Sequence, residues 1–282
     1  MICDENVYEF NNIHRIVIIG DIHGDIKRFK KILIDANIIN NDLEWIAQPP
    51  NTFVVQMGDQ IDSLNRNNAS NWEAMDDISV LHLSNSIDNI AKSKGGRLIS
   101  LIGNHELMNS MGNFSYVSET SKNNTRNFCF MPGGSLSSIL GSRNIVLKIG
   151  PLFFCHAGIT KDHLDILDKY NKPICYLNTI WKNYILNNFV KPEDQEIFDK
   201  IITSDNGILW TRNLTDEKDT QYILNKLGCN NIFVGHTTVD KISLCNKSIW
   251  FTDTGISRAY GRNTYHYIDI DKMEVNVKTI VE

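Results

Sequence analysis

The apolar positions of this chain come in short unbroken runs, and most runs stop at a glycine followed by polar residues. "IVII" at 16–19 gives way to Gly20, Asp21, Ile22, His23, Gly24 and Asp25; "TFVVQM" ends in Gly58 and Asp59; "RLISLI" ends in Gly103, Asn104, His105 and Glu106. Apolar runs of this length bounded by turn formers predict strands buried on both faces. Between the first two runs, Ile26, Phe29, Leu33 and Ala36 recur at spacings of 3, 4 and 3, which predicts a helix over 24–37 with one apolar face. A second helix is expected from about 72 to 93, so the strand, turn, helix unit repeats.

Further along, the Asn- and Gly-rich segment 112–135 reads as loop, closing with "MPGGS" ahead of a short helix. Residues 144–150 and 151–158 read as two strands, the second leaving through His156. The stretch 160–227 is expected to be mainly helical, with Pro192 in a first turn and Leu177, Trp181 and Tyr184 on one core-facing side. Residues 230–237 form a further strand ending in His236, and the alternating tail ("KISLC", "SIWFTDTG", "TYHYIDID", "MEVNVKTIV") predicts antiparallel strands. "NRNNASN" at 65–71 reads as solvated loop, and no internal repeat is present.

At 282 residues and 42% hydrophobic composition the chain can bury the core of one large domain, with or without an insertion. A formal net charge of -5 argues against a nucleic-acid-wrapping protein, because phosphate backbones attract basic faces. The start "MICDENVYEF" lacks the basic region of a signal peptide, and no apolar stretch approaches the roughly 18 residues of a membrane span. A soluble cytoplasmic protein, with no membrane partner, is therefore expected. The six cysteines are scattered singly, which suits reduced thiols, and alternation turns Cys155 away from His156 toward packing.

The chemistry lies at the strand exits. Five apolar strands stop at side chains that bind divalent metals: Asp21 with His23, Asp59, Asn104 with His105, His156, and His236. In α/β sheets the carboxyl ends of strands are where sites gather. Mixed oxygen and imidazole donors suit Mn, Fe or Zn better than Ca or Mg, and the number of donors suits two ions, of the kind that clamp a phosphoryl group in an in-line displacement. His14, His82, His163 and His266 lie outside these exits and read as surface or satisfied core residues.

The ordered series "GDIHG", "GDQID", "GNHE", "CHAG" and "GHT" resembles the calcineurin-like metallophosphoesterase superfamily, in its phosphoprotein phosphatase branch. "LIGNHELMNSMGNFSYVS" and "FMPGGSLSSILGSRNIVLKIGPLFFCHAGI" resemble the Shewanella-like protein phosphatases of bacteria, plants and protists. The resemblance implies an α/β (α+β) fold with a central β-sandwich flanked by helices in four αββα layers, and a dinuclear metal site at the strand ends. It implies one catalytic domain over 13–282 with a mainly helical insertion at about 160–227. It implies that Asp21 and His23 hold the first metal, Asp59 bridges, and Asn104, His156 and His236 hold the second. His105 would be the general acid and Asp62 its orienting carboxylate. Hydrolysis would proceed by direct attack of a metal-bridging hydroxide, on phosphoserine, phosphothreonine or phosphotyrosine of a protein or peptide.

One family feature is missing. The usual pattern G-D-x-x-D-R-G carries a phosphate-clamping arginine, and here Asp62 is followed by Ser63 and Leu64. A transferring phosphoryl group still needs cationic donors, so Arg212, in a Trp-x-Arg segment, is the first candidate replacement, Arg258 the second and Arg66 the third. The loop 112–131 is a candidate lid or specificity loop. Two other functions stay open: hydrolysis of a dinucleoside polyphosphate or another small molecule, and non-catalytic binding of a phosphorylated partner. Nuclease activity is disfavoured by the acidic balance.

Overall fold

The computed structural model describes residues 8–64, 76–119, 121–188, 191–214 and 216–282. The loop at 65–71, with Arg66, and the start of the helix expected from 72 lie outside the described residues. In chain order the elements are β1 (Glu9–Phe10), β2 (Arg15–Ile19), α1 (Ile26–Asp35), β3 (Phe53–Gln56), α2 (Asp77–Ser93), β4 (Arg97–Ser100), α3 (Asn104–Ser110), α4 (Arg126–Phe130), α5 (Ser137–Gly141), β5 (Val146–Ile149) and β6 (Leu152–Cys155). They continue with α6 (Lys161–Lys169), α7 (Tyr176–Ile185), α8 (Pro192–Ile197), a π-helical turn (Phe198–Thr203), α9 (Glu217–Leu227), β7 (Asn231–Val234), β8 (Ser243–Cys245) and β9 (Ile249–Phe251). A 3₁₀ turn (Arg258–Tyr260), β10 (Thr264–Asp271) and β11 (Glu274–Val281) complete the chain.

Two sheets form, one ordered β11-β10-β2-β3-β4 and the other β1-β5-β6-β7-β9-β8. Alternation along the buried strands decides how they stack. Ile16, Ile18, Val55 and Ile99 of the first sheet meet Leu147, Phe154 and Phe233 of the second in one shared core. Val17, Ile19, Val54 and Leu98 point the other way and pack with Phe29, Ile32 and Leu33 of α1 and with Val80 and Ile87 of α2. Phe153, Cys155, Ile232 and Val234 likewise pack under α6 to α9, with Trp181 among the largest buried side chains. The result is a four-layer αββα sandwich. Each fully buried Phe, Ile or Leu side chain contributes about 1.5–3 kcal/mol, and Asp25 and Asp76 start α1 and α2 by accepting Arg28 and Ser79 N–H groups at 3.2 and 3.1 Å.

Some expectations need correction. The segment 112–135 contains α4, which buries Arg126 and Phe130. The tail does form two antiparallel hairpins, but β8 and β9 join one sheet while β10 and β11 join the other, and β9 runs parallel to β7. Cys129, Cys155, Cys229 and Cys245 are free thiols, whereas Cys175 is disulfide-bonded, because pairing follows proximity in space rather than spacing along the chain. No helix among the described residues is long and apolar enough to cross a membrane.

Candidate active site

β2, β3 and β4 run parallel, so their carboxyl ends lie side by side, and β6 and β7 do the same in the second sheet. The two sets meet at one edge of the sandwich. His156 Nδ1 donates to the Met57 carbonyl at 2.7 Å, and the His236 N–H donates to Asp21 Oδ2 at 3.0 Å, each tying one sheet to the other. All of Asp21, His23, Asp59, Asp62, Asn104, His105, His156 and His236 are buried there.

Asp59 is the hub. Its Oδ2 lies 3.3 Å from His156 Nε2 and 3.8 Å from His105 Nε2, while its Oδ1 accepts the His105 N–H at 3.0 Å. Donor atoms of His23, Asp59 and His105 lie within 4.8 Å of one another, as do those of Asp59, His156 and His236. Asn104 Oδ1 completes the second group, 3.0 Å from His156 Nε2 and 2.9 Å from His236 Nδ1. His105 thus stands beside the first group in the place where the sequence leads one to expect Asp21. The Asp21 carboxylate leans instead toward the His236 backbone, and its Oδ1 is buried with no hydrogen-bond partner among the described residues.

The local backbone is set by the chemistry of the turns. His23, Asp59, Asp62 and His236 all have left-handed φ values, 45°, 50°, 69° and 61°. Such conformations disfavour side chains other than glycine and concentrate at functional sites. Gly103 must lack a Cβ because one there would come within 2.2 Å of Asp59 Oδ1. Glu106 fixes the same turn from behind: Oε2 accepts the N–H groups of Gly103 and Asp59 at 2.8 and 3.0 Å, and Oε1 accepts that of Gln60 at 2.8 Å.

Electrostatics mark the edge as rich in negative charge. Burial, and then the nearby Asp253, push the Asp21 carboxyl well above its ordinary range. Burial would do the same to Asp59, but His156, His105 and His23 around it bring it well below. Burial works against protonating His156, yet Asp59 and Asp21 overcome it and raise this imidazole, whereas burial and then the His156 charge lower His236.

Behind the metal-donor groups lies a second network. His105 Nδ1 is 3.0 Å from Asp62 Oδ2, which also accepts Asn109 Nδ2 at 2.7 Å. Arg126 donates from Nε to Asn109 Oδ1 at 2.7 Å and from Nη2 to Asp62 Oδ1 at 3.0 Å, and it pairs with Asp77 at 3.0 Å. Burial, and then Asp62, raise the Asp77 carboxyl to about 7.

Residues 14–240 match the family model described as calcineurin-like phosphoesterase. The chain belongs to that family. The phosphoesterase is 29% identical over 306 aligned residues to Shewanella-like protein phosphatase 1 of Plasmodium berghei, covering 99% of this chain and 79% of the relative. Its fold matches the crystal structure of a cold-active protein-tyrosine phosphatase from a psychrophilic Shewanella species, with a TM-score of 0.75 at 22% identity over 96% of this chain and 82% of that one. It also matches a protein serine/threonine phosphatase of Saccharomyces cerevisiae, with a TM-score of 0.60 at 13% identity over 98% and 84% of the two chains. The αββα sandwich is accordingly the metallophosphoesterase fold.

Divalent metals are implied by this family, and the donors of this phosphoesterase fit them. Asp59 stands with the imidazoles of His23 and His105 in one group and with those of His156 and His236 in another, and the buried carboxylates Asp21 and Asp253 lie beside them. Among the described residues no donor meets the buried Asp21 Oδ1, which is costly unless a cation does so.

The arginine candidates fare differently. Arg212 is exposed, on the segment whose Trp210 carbonyl lies 3.0 Å from His236 Nε2, and its charge helps to lower His236. Arg258 is engaged with Asp25, its N–H and Nε donating to Oδ2 at 2.8 and 2.9 Å. Sequence reasoning missed Glu106, Asn109, Asp77, Arg126 and Arg143. Asn109 had a signal, being four residues after His105 and hence on the same side of a helix; its amide also donates to the His105 carbonyl at 2.9 Å. Arg143 is buried and grips Gln60 Oε1 at 2.9 and 2.6 Å, holding the turn between Asp59 and Asp62.

Proposed function

We propose that this phosphoesterase is a phosphoprotein phosphatase that uses two divalent metals, of the Mn, Fe or Zn type, to hydrolyse phosphomonoesters on serine, threonine or tyrosine. Asp21, His23 and Asp59 would hold one ion, and Asp59, Asn104, His156 and His236 the other. The observation that carries this reading is the pairing of two donor groups through Asp59 with a clamped imidazole, His105, on their rim. Bound there, the ions would acidify a water near neutral pH and neutralise phosphoryl charge. The catalytic unit is one domain over 13–282, with the helical segment 160–227 as an insertion.

The chain's own residues do the rest. Asp62 faces His105 Nδ1, so that nitrogen donates to the carboxylate and the proton available to a departing oxygen is on Nε2. His105 Nε2 points to the Asp59 side, where the leaving group of a bound phosphomonoester would emerge. Of the candidates among the described residues, Arg212, exposed and close enough to His236 for its charge to act on it, would meet phosphate oxygens in place of the missing arginine.

The test is phosphate release by the Mn-loaded protein from phosphotyrosine and phosphoserine peptides, with diadenosine tetraphosphate as comparison and Asp59→Asn and His105→Asn as controls. Bound metal is measured in the same samples. Peptide turnover lost in both variants, with bound metal lost in Asp59→Asn alone, supports the proposal. Turnover of the dinucleotide alone, or peptide turnover surviving in Asp59→Asn, overturns it.

A further inference from the structure

Arg126 is a buried cation, 3% exposed, that opens α4 and turns Nε and Nη2 into the protein. Its guanidinium also lies 4.7 Å from the Phe130 ring. A phosphate clamp must present its N–H groups to the cleft; this guanidinium is buried, with Nε and Nη2 turned to Asn109, Asp62 and Asp77. It therefore does not replace the arginine missing after Asp62, and its work must be on those partners.

Those partners converge on His105. Asp62 Oδ2 carries both His105 Nδ1 and Asn109 Nδ2, while Oδ1 carries Arg126. A carboxylate held at one oxygen can rotate about its last bond; a guanidinium on the other oxygen fixes its plane. Arg126 also decides which way the Asn109 amide faces. Because Nε donates to Asn109 Oδ1, the Nδ2 group is left to donate to Asp62, and the reversed amide would set oxygen against carboxylate. Asp77 accepts the Asp62 N–H at 3.1 Å, so two carboxylates lie side by side with Arg126 paired to both. The segment ahead of α4 also touches the imidazole: the Tyr116 ring stands 5.1 Å from His105, and the Tyr116 carbonyl accepts the Leu64 N–H at 2.9 Å.

We propose that Arg126 is a positioning residue for the general acid, holding Asp62 and Asn109 so that His105 Nε2 stays aimed at the departing oxygen. The inference rests on the reading of His105 as that acid. It recasts 112–131 from a lid into the bearing on which the acid is mounted.

The test uses the Mn-loaded full chain and two substrates, phenyl phosphate, whose leaving group needs a proton, and p-nitrophenyl phosphate, whose leaving group scarcely does. General acid catalysis contributes about 10²–10⁴-fold, so Arg126→Lys, which keeps the charge but loses the fork, should lower kcat on phenyl phosphate by about 10-fold or more and on p-nitrophenyl phosphate by under about 3-fold, with KM little changed. Asn109→Leu should give the same ordering, and it decides the matter if Arg126→Lys does not fold. Adding Arg126→Lys to His105→Asn should change neither rate further. Equal losses on both substrates, while His105→Asn still discriminates between them, would overturn the positioning role. Equal losses in His105→Asn itself would instead overturn the general-acid reading beneath it.

Discussion

Replacing Glu106 by glutamine should destabilise the metal-free protein by about 2–4 kcal/mol, although it alters only the tip of one side chain. The carboxylate is fully buried and gathers three backbone N–H groups, two on Oε2 and one on Oε1. An amide has a single oxygen. Placed where Oε2 stands, it keeps the Gly103 and Asp59 bonds and sets an NH₂ against the Gln60 N–H. Losing one hydrogen bond to a charged acceptor costs about 1.5–3 kcal/mol, and weakening the other two adds about 1 kcal/mol. Burial already disfavours the Glu106 charge, so removing it returns part of that sum. Urea unfolding in EDTA, extrapolated linearly to water, gives the difference without any contribution from bound metal. A loss under about 1 kcal/mol at unchanged m-value would refute the claim that one carboxylate braces the turn.

Three further outcomes are expected. Gly103→Ala should fold poorly or lose bound metal, measured by metal analysis after gel filtration, because its Cβ would lie 2.2 Å from Asp59 Oδ1. Asp21→Asn should raise the melting temperature of the metal-free protein while lowering its metal content, since burial penalises the Asp21 charge that a cation would satisfy; a lower apo melting temperature would contradict this. His163 accepts the Thr160 N–H at Nδ1 and donates from Nε2 to the Asn206 carbonyl, so it is held neutral and burial lowers its pKa from 6.5. The unfolded chain then binds the proton first, and stability should fall as pH drops below about 6.5; His163→Gln should have a flatter profile in denaturant titrations across that range.

What the sequence makes legible here is whatever depends on neighbours along the chain. Buried runs, their glycine exits and the one-sided helix α1 could be read directly, and so could the donors that follow each run. Long-range partnerships could not. Arg126 lies 64 residues from Asp62 in a segment that reads as loop, and nothing local distinguishes it from a surface arginine. The assignment of two similar hairpins to different sheets is also invisible locally, because alternation records that a strand has a buried face and not which sheet covers it. Glu106 was hidden in plain view: as the third residue of a short helix it reads as a capping carboxylate, and it is one, but two of its three bonds go to another turn.

The left-handed backbone at His23, Asp59, Asp62 and His236 bears on how such a chain can drift. Each position holds a side chain at a conformational cost of about 1 kcal/mol or more that glycine would largely escape. Glycine at any of the four would relieve that strain, and in the same step would remove a donor imidazole or carboxylate from the site or, at Asp62, the carboxylate that meets His105.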